Sequence, residues 1–179
     1  MIQRHRLIGL TGTNGAGKGV TAEFLKSRGY AFVSLSDAIR EELRRAGIPE
    51  SRDALIAQGN ELRRVFGPDV LARRTLAGIA GPTVIDSIRN PAEVAALREQ
   101  PGFILLAINA PAALRFERVS LRGRNESAAT FEDFLDKEAE EKSADPAAQQ
   151  IHTCVALADL TITNDGSIED LHRRLEELL

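Results

Sequence analysis

With 179 residues, 43% of them hydrophobic and 27% charged, the chain has the size and composition of one soluble globular domain, which excludes a disordered polypeptide. The net charge of −3 excludes a global basic field for nucleic acid, and the single Cys excludes an internal disulfide. No apolar run approaches the ~20 residues of a membrane span, and "MIQRHRLIGLTG" lacks the long apolar region of a signal peptide, so the expectation is a cytoplasmic protein with no membrane or nucleic-acid partner.

In chain order, "LIGLTG" predicts a first strand and "GKGVTAEFLKSRG" a helix ending at Gly29. "YAFVSL" is a second strand, and "SDAIREELRRAG" a helix with Ser36 or Asp37 near its cap and Gly47 at its end. "SRDALIAQGNELRRVFG" and "PDVLARRTLAGIAG" are two more helices, the second opened by Pro68 in its first turn. "PTVIDS" is a third strand and "NPAEVAALREQPG" its helix. "FILLAINA" is a near-continuous apolar run, as a parallel strand covered on both faces requires. "PAALRFERVSLRGR" is a helix running into a polar, arginine-rich stretch. "TFEDFLDKEAEEKSA" and "AAQQIHTCVALAD" are helices, "LTITND" a fifth strand and "SIEDLHRRLEELL" the last helix. This alternation predicts an α/β fold: a five-stranded parallel sheet, order 2-3-1-4-5, with helices on both faces. Ligands of such sheets bind beyond the carboxyl ends of the strands.

The most specific motif is "GLTGTNGAGKGVT", with G-x-x-x-x-G-K from Gly12 to Lys18 between a strand and a helix. Gly12, Gly15 and Gly17 let the backbone turn its N–H groups inward, and the helix N-terminus completes an anion cradle. Thr13, Asn14, Ala16, Gly19 and Val20 belong to the same cradle, and Lys18 adds a point charge toward the outer phosphates. Ser or Thr usually follows the Lys and ligates Mg²⁺; here the residue is Gly19, and Thr21 stands three past Lys18.

"GAGKG" resembles the loop of adenylate kinases and related nucleoside monophosphate kinases, which commonly have Gly after the Lys and hold Mg²⁺ largely through phosphates and water. "SLSDAIRE" resembles the T-G-D-x-x-R segment of adenylate kinases, placing Asp37 and Arg40 at the acceptor's phosphate; read alone, it is a capping Asp with a surface Arg one turn on. "TVIDSIRNPAEV" looks like D-G-x-P-R. It puts Asp86 beside Mg²⁺ through water and Arg89 on the acceptor, with Ser87 in place of Gly and the Pro delayed to Pro91. The Gln that follows in that family, and helps to select AMP, has no counterpart. In "QGNELRRVFG", the segment that covers the acceptor site in this group, Arg63 is either a further phosphate contact or a surface helix residue.

"LRFERVSLRGRNES" resembles the arginine-bearing lid of these kinases. Arg118, Arg122 and Arg124 are the candidates to close over the transferring group, where arginine is worth orders of magnitude in rate; Arg115 is placed less well. The alternative is a solvated basic face paired with "EDFLDKEAEEK". "LADLTITNDGSIEDL" looks like the last strand and loop of dephospho-CoA kinases, near the nucleotide base, although Ser167 as a helix cap is the stronger reading. His5, His152 and His172 form no ligand pattern, and Cys154 reads as a core thiol.

Together the resemblances imply a single P-loop kinase domain over 1–179, with an acceptor-binding helical insertion about 36–67 and a lid about 118–130. They imply ATP and Mg²⁺ as cofactors and transfer of the γ-phosphate to a nucleoside or deoxynucleoside monophosphate, by a monomer or homodimer. Dephospho-CoA kinase is the rival, although "SLSDA" and "IDSIRNP" stand where that family carries D-A-D and P-L-L-F-E. A nucleotide-binding regulator is the second.

Overall fold

The structure is a computed structural model that describes residues 6–121, 130–140 and 145–178. Its strands are β1 (Leu7–Thr11), β2 (Ala31–Ser34), β3 (Thr83–Asp86), β4 (Phe103–Asn109) and β5 (Leu160–Thr163). All pairings are parallel and the order is β2-β3-β1-β4-β5, as the alternation of elements predicted. The helices are α1 (Lys18–Ser27), α2 (Leu35–Arg45), α3 (Arg52–Phe66), α4 (Val70–Leu76), α5 (Pro91–Arg98), α6 (Ala112–Leu121), α7 (Phe131–Glu140), α8 (Ile151–Ala156) and α9 (Ile168–Glu176). No helix among the described residues is long and apolar enough to cross a membrane.

Successive strand side chains point to opposite faces, and the sheet therefore has two cores. Ile8, Leu10, Val84, Leu106 and Ile108 pack with Phe24 and Leu25 of α1 and Leu171 and Leu175 of α9. Leu7, Ile85 and Leu105 face the other way, onto Leu35, Ile39, Leu62, Leu71, Val94 and Leu97 from α2 to α5. Each such residue buried contributes ~1.5–3 kcal/mol, so the interleaved Leu and Ile of β1 and β4 hold both layers to one sheet. Cys154 belongs to the second core, and burial pushes its thiol up to about 12, which leaves it inert at neutral pH.

Three element boundaries differ from the predicted ones. Helix α2 is capped by Ser34, with Asp37 as the third residue of a capping box: its Oδ2 accepts from the Ser34 N–H at 3.1 Å. Pro68 lies in the turn before α4 rather than in its first turn, because Gly67 (φ 103°) ends α3 and Asp69 is the cap of α4. Helix α8 starts at Ile151, not at the preceding alanines, because the amide of Asn90 donates to the carbonyls of Pro146 (2.7 Å) and Ala148 (2.9 Å). The tertiary partner takes the carbonyls that a helix would have used.

Candidate functional site

The loop from Gly12 to Lys18 leaves the carboxyl end of β1, as its motif requires. Its conformation excludes side chains at three points, one of them Gly15, where φ is 76° and a Cβ would lie 2.6 Å from Arg115 O. Gly12 has φ 132°, and a Cβ there would lie 2.1 Å from the Ile108 carbonyl oxygen; Gly17 has φ 111°, and a Cβ would lie 2.3 Å from Asn164 Nδ2. Lys18 Nζ donates to the carbonyls of Gly12 (2.7 Å) and Thr13 (3.0 Å), so the cation is folded against the cradle. Two braces come from distant sequence. Asn164, at the end of β5 and 6% exposed, donates its amide to Ala16 O at 2.8 Å. Arg115, 7% exposed, donates to Ala110 O (2.9 Å) and Asn14 O (3.4 Å), and pairs with Glu138 of α7. Sequence reasoning ranked Arg115 last among the arginines of α6; burial against the loop backbone is what makes it a brace.

Arg118 reaches the β5–α9 loop, where it donates to Asn164 O (3.1 Å) and Gly166 O (3.4 Å). Arg122 and Arg124 lie outside the described residues. Ser167 caps α9 with Asp170, as expected of that turn.

The residues present fit a magnesium ion. Gly19 is exposed, with nothing within 4 Å of the position a Cβ would take, so it supplies no ligand. The Thr21 hydroxyl donates to Gly17 O, the cap of α1, at 3.2 Å, and at 0% exposure it is closed off from an ion in the cradle. At the end of β3, however, Asp86 Oδ1 is enclosed and has no hydrogen-bond partner among the described residues. An orphaned buried oxygen costs about 1–3 kcal/mol, and a hard cation or its water is the group that satisfies it. No cluster of three His, Cys, Asp or Glu occurs among the described residues, so the remaining ligands would be phosphate and water oxygens.

A cavity of about 120 Å³ lies between α2, α3 and the β3–α5 loop, and Ser87, the residue after Asp86, lines it. Arg40, Arg52, Arg63 and Arg89 line it, with Ser36, Ser87 and Gln149; Ile39, Leu55 and Ile56 form an apolar wall. Four arginines and no carboxylate are among the described lining residues; two of the arginines are paired from behind, Arg40 with Asp37 and Glu50 and Arg63 with Glu93. The β3–α5 loop is fastened to the strand feeding the phosphate loop, because Thr11 Oγ1 donates to Ile88 O at 3.0 Å. Ser87, a non-glycine residue at φ 65°, turns the chain directly after Asp86, and its hydroxyl accepts from Ser34 Oγ at 2.9 Å. This strained position is the one at which the resembled motif has Gly.

Each predicted acceptor residue has a defined environment. Arg40 donates to Ser36 Oγ (2.8 Å), Asp37 Oδ1 (3.0 Å) and Glu50 Oε1 (3.1 Å). Asp37 does not line the cavity; it holds Arg40 and caps α2. Arg89 Nη1 donates to Gln149 Oε1 at 3.0 Å. Arg63 is not a surface residue: it is 2% exposed and forms an ion pair with Glu93, 0% exposed, through Nε (2.9 Å) and Nη2 (2.8 Å) on Oε1. The other oxygen, Oε2, accepts the N–H groups of Arg89 (2.9 Å) and Asn90 (3.0 Å). Burial pushes the Glu93 carboxyl up from its ordinary value; the Arg63 charge and the two N–H groups oppose that shift. Sequence reasoning missed Arg52, Glu93 and Gln149. Glu93 carried a signal, the N-x-x-E capping box that it forms with Asn90. Gln149 carried none, being 60 residues from Arg89.

The geometry has close relatives. A family model described as an AAA domain matches residues 8–143. A UPF0200 protein of Pyrococcus horikoshii is 33% identical, covering 97% of this chain and 95% of its own. Another, from Methanocaldococcus jannaschii, is 30% identical over 97% and 88%. Among solved structures, TT1252 from Thermus thermophilus is 26% identical with a TM-score of 0.59, over 96% of this chain and 95% of its own. A shikimate kinase from Bacteroides thetaiotaomicron has a TM-score of 0.66 over 96% and 97% at 17% identity, a likeness of fold alone. With its phosphate loop, its strand order and relatives along nearly its whole length, the chain belongs to the UPF0200 family and carries the AAA-type domain over most of its length.

Proposed function

We propose that the protein is a phosphotransferase that moves the γ-phosphate of ATP to a nucleoside or deoxynucleoside monophosphate. The observation that carries this reading is the arginine-lined cavity at the β3–α5 loop, which follows the strand next to the one that feeds the phosphate loop. A protein that only senses ATP has no use for a second, cationic pocket there. Lys18 and the loop N–H groups hold the donor phosphates. Arg40 and Arg89, with Arg63 behind them, hold the acceptor phosphate. Arg118, together with Arg122 and Arg124, closes over the transferring group. Asp86 holds Mg²⁺ through water, and the ion, when bound, neutralises charge on the donor phosphates. The side chains orient two anions in line and stabilise spread charge, which is most of what this chemistry asks of a protein. The test is an ADP-release screen across all nucleoside and deoxynucleoside monophosphates, with dephospho-CoA included. Turnover with one or a few monophosphates is expected. Turnover only with dephospho-CoA would move the protein to the rival activity, and ATP hydrolysis indifferent to every acceptor would make it a regulator.

A further inference from the structure

Gln149 is 8% exposed, yet it lines the acceptor cavity. The backbone on both sides of it is pinned to the β3–α5 loop. Asn90 holds the carbonyls of Pro146 and Ala148, and the Gln150 N–H donates to Arg89 O at 2.7 Å. The orientation of its amide follows from its partner. Arginine can only donate, so the atom facing Arg89 Nη1 at 3.0 Å must be the oxygen, and the nitrogen takes the other side. That nitrogen makes no hydrogen bond with the described residues and is not an enclosed atom either, so its two N–H groups are offered to the cavity that the side chain lines. Water can satisfy this donor pair, but its position is fixed in advance by Arg89 and the pinned backbone, so a ligand acceptor that replaces the water meets it already oriented. The apolar wall of Ile39, Leu55 and Ile56 across the same cavity suits the face of a planar ring.

We infer that Gln149 is a specificity-determining residue, whose amide N–H₂ donates to a hydrogen-bond-accepting carbonyl or ring nitrogen on the acceptor's heterocycle. The inference rests on the proposed transfer to a nucleotide and adds to it the edge by which the base is chosen. A base that presents an N–H at that point sets donor against donor and is rejected; rejection of that kind discriminates more strongly than a missing methylene does.

The test uses Gln149→Glu. Glutamate keeps an oxygen for Arg89 and replaces the N–H₂ by a second acceptor; it also adds one negative charge near the acceptor's phosphate, so the ranking of the bases, not the rise in KM alone, is the readout. The acceptor's KM should rise at least tenfold, equivalent to about 1.4 kcal/mol, while the KM for ATP and the melting temperature stay at wild-type values. Uridylate with cytidylate, and inosinate with adenylate, exchange an acceptor for a donor along one edge. Wild type and Gln149→Glu should rank the members of the discriminated pair in opposite order. An unchanged ranking, or equal use of both members of each pair by wild type, overturns the inference. If wild type uses dephospho-CoA alone, the monophosphate reading fails; the inference stands if Gln149→Glu raises the KM for that acceptor alone and falls if it does not. Indifference to every acceptor overturns both. Should Gln149→Glu fold poorly, Gln149→Leu, which removes both donors without adding charge, must give the same rise in acceptor KM.

Discussion

Glu93→Gln tests the buried linkage beneath the acceptor cavity. The substitution keeps the shape of the side chain and removes one charge. In the native protein, four N–H donors converge on the two carboxylate oxygens, two from Arg63 and two from the backbone of Arg89 and Asn90. An amide has one accepting oxygen, so whichever way it turns, its N–H₂ faces two other donors. Arg63, 2% exposed, is then left with an uncompensated charge. Breaking a buried pair from one side costs about 3–5 kcal/mol, against a total stability of roughly 5–15 kcal/mol for a domain. The expected result is a large fall in urea midpoint with an unchanged slope, followed by circular dichroism. The exposed pair Arg40–Asp37, by contrast, should contribute no more than about 1 kcal/mol. Adding Arg63→Met to Glu93→Gln removes the uncompensated charge and lets the amide oxygen serve the Arg89 and Asn90 N–H groups, so the double variant should recover part of the loss. A cost below about 1 kcal/mol for Glu93→Gln would mean that the pair is hydrated, and the account of the β3–α5 loop would fail with it.

Lys18→Ala should leave the circular dichroism spectrum intact and remove most turnover; near-normal activity would remove the loop from the chemistry. Asp86→Asn should weaken the Mg²⁺ dependence of turnover more than ATP binding, and an unchanged Mg²⁺ titration would exclude that carboxylate from the metal. Gly19→Ser meets nothing within 4 Å; it should stabilise α1 by up to about 0.5 kcal/mol and lower the Mg²⁺ concentration needed for half-maximal turnover. Arg40→Ala should raise the acceptor's KM roughly ten- to hundredfold and leave that of ATP alone; the reverse pattern would place the acceptor elsewhere. The Asp170 carboxyl is held below its ordinary value by the Ser167 N–H and then by the Ser167 hydroxyl. That stabilisation is complete above the unfolded value and lost as pH falls through the lower folded one, so below about pH 4 the stability of Asp170→Asn should depend less steeply on pH than that of wild type.

The phosphate loop was legible in the sequence because local spacing determines it, and the strand order because the alternation of strands and helices does. Glycines at 12, 15 and 17 matter through their own φ angles, and a strand's period of two is visible within five residues. The cap at Ser167 is likewise a three-residue matter, and the structure keeps it; the box of Asn90 with Glu93 is equally local and went unread. What the chain by itself could not state is which charges lose their water. Arg63 and Arg64 are adjacent and chemically identical, yet one is buried on Glu93 and the other exposed beside Glu61. Arg115 looked like one more lid arginine until α7 and the loop backbone closed over it. Gln149 gains its meaning only from Arg89, 60 residues away in sequence. Conformational preference acts between near neighbours, whereas desolvation depends on which distant segments the sheet brings together. The cradle is therefore written in the sequence, and the arginine-lined cavity is made by the fold.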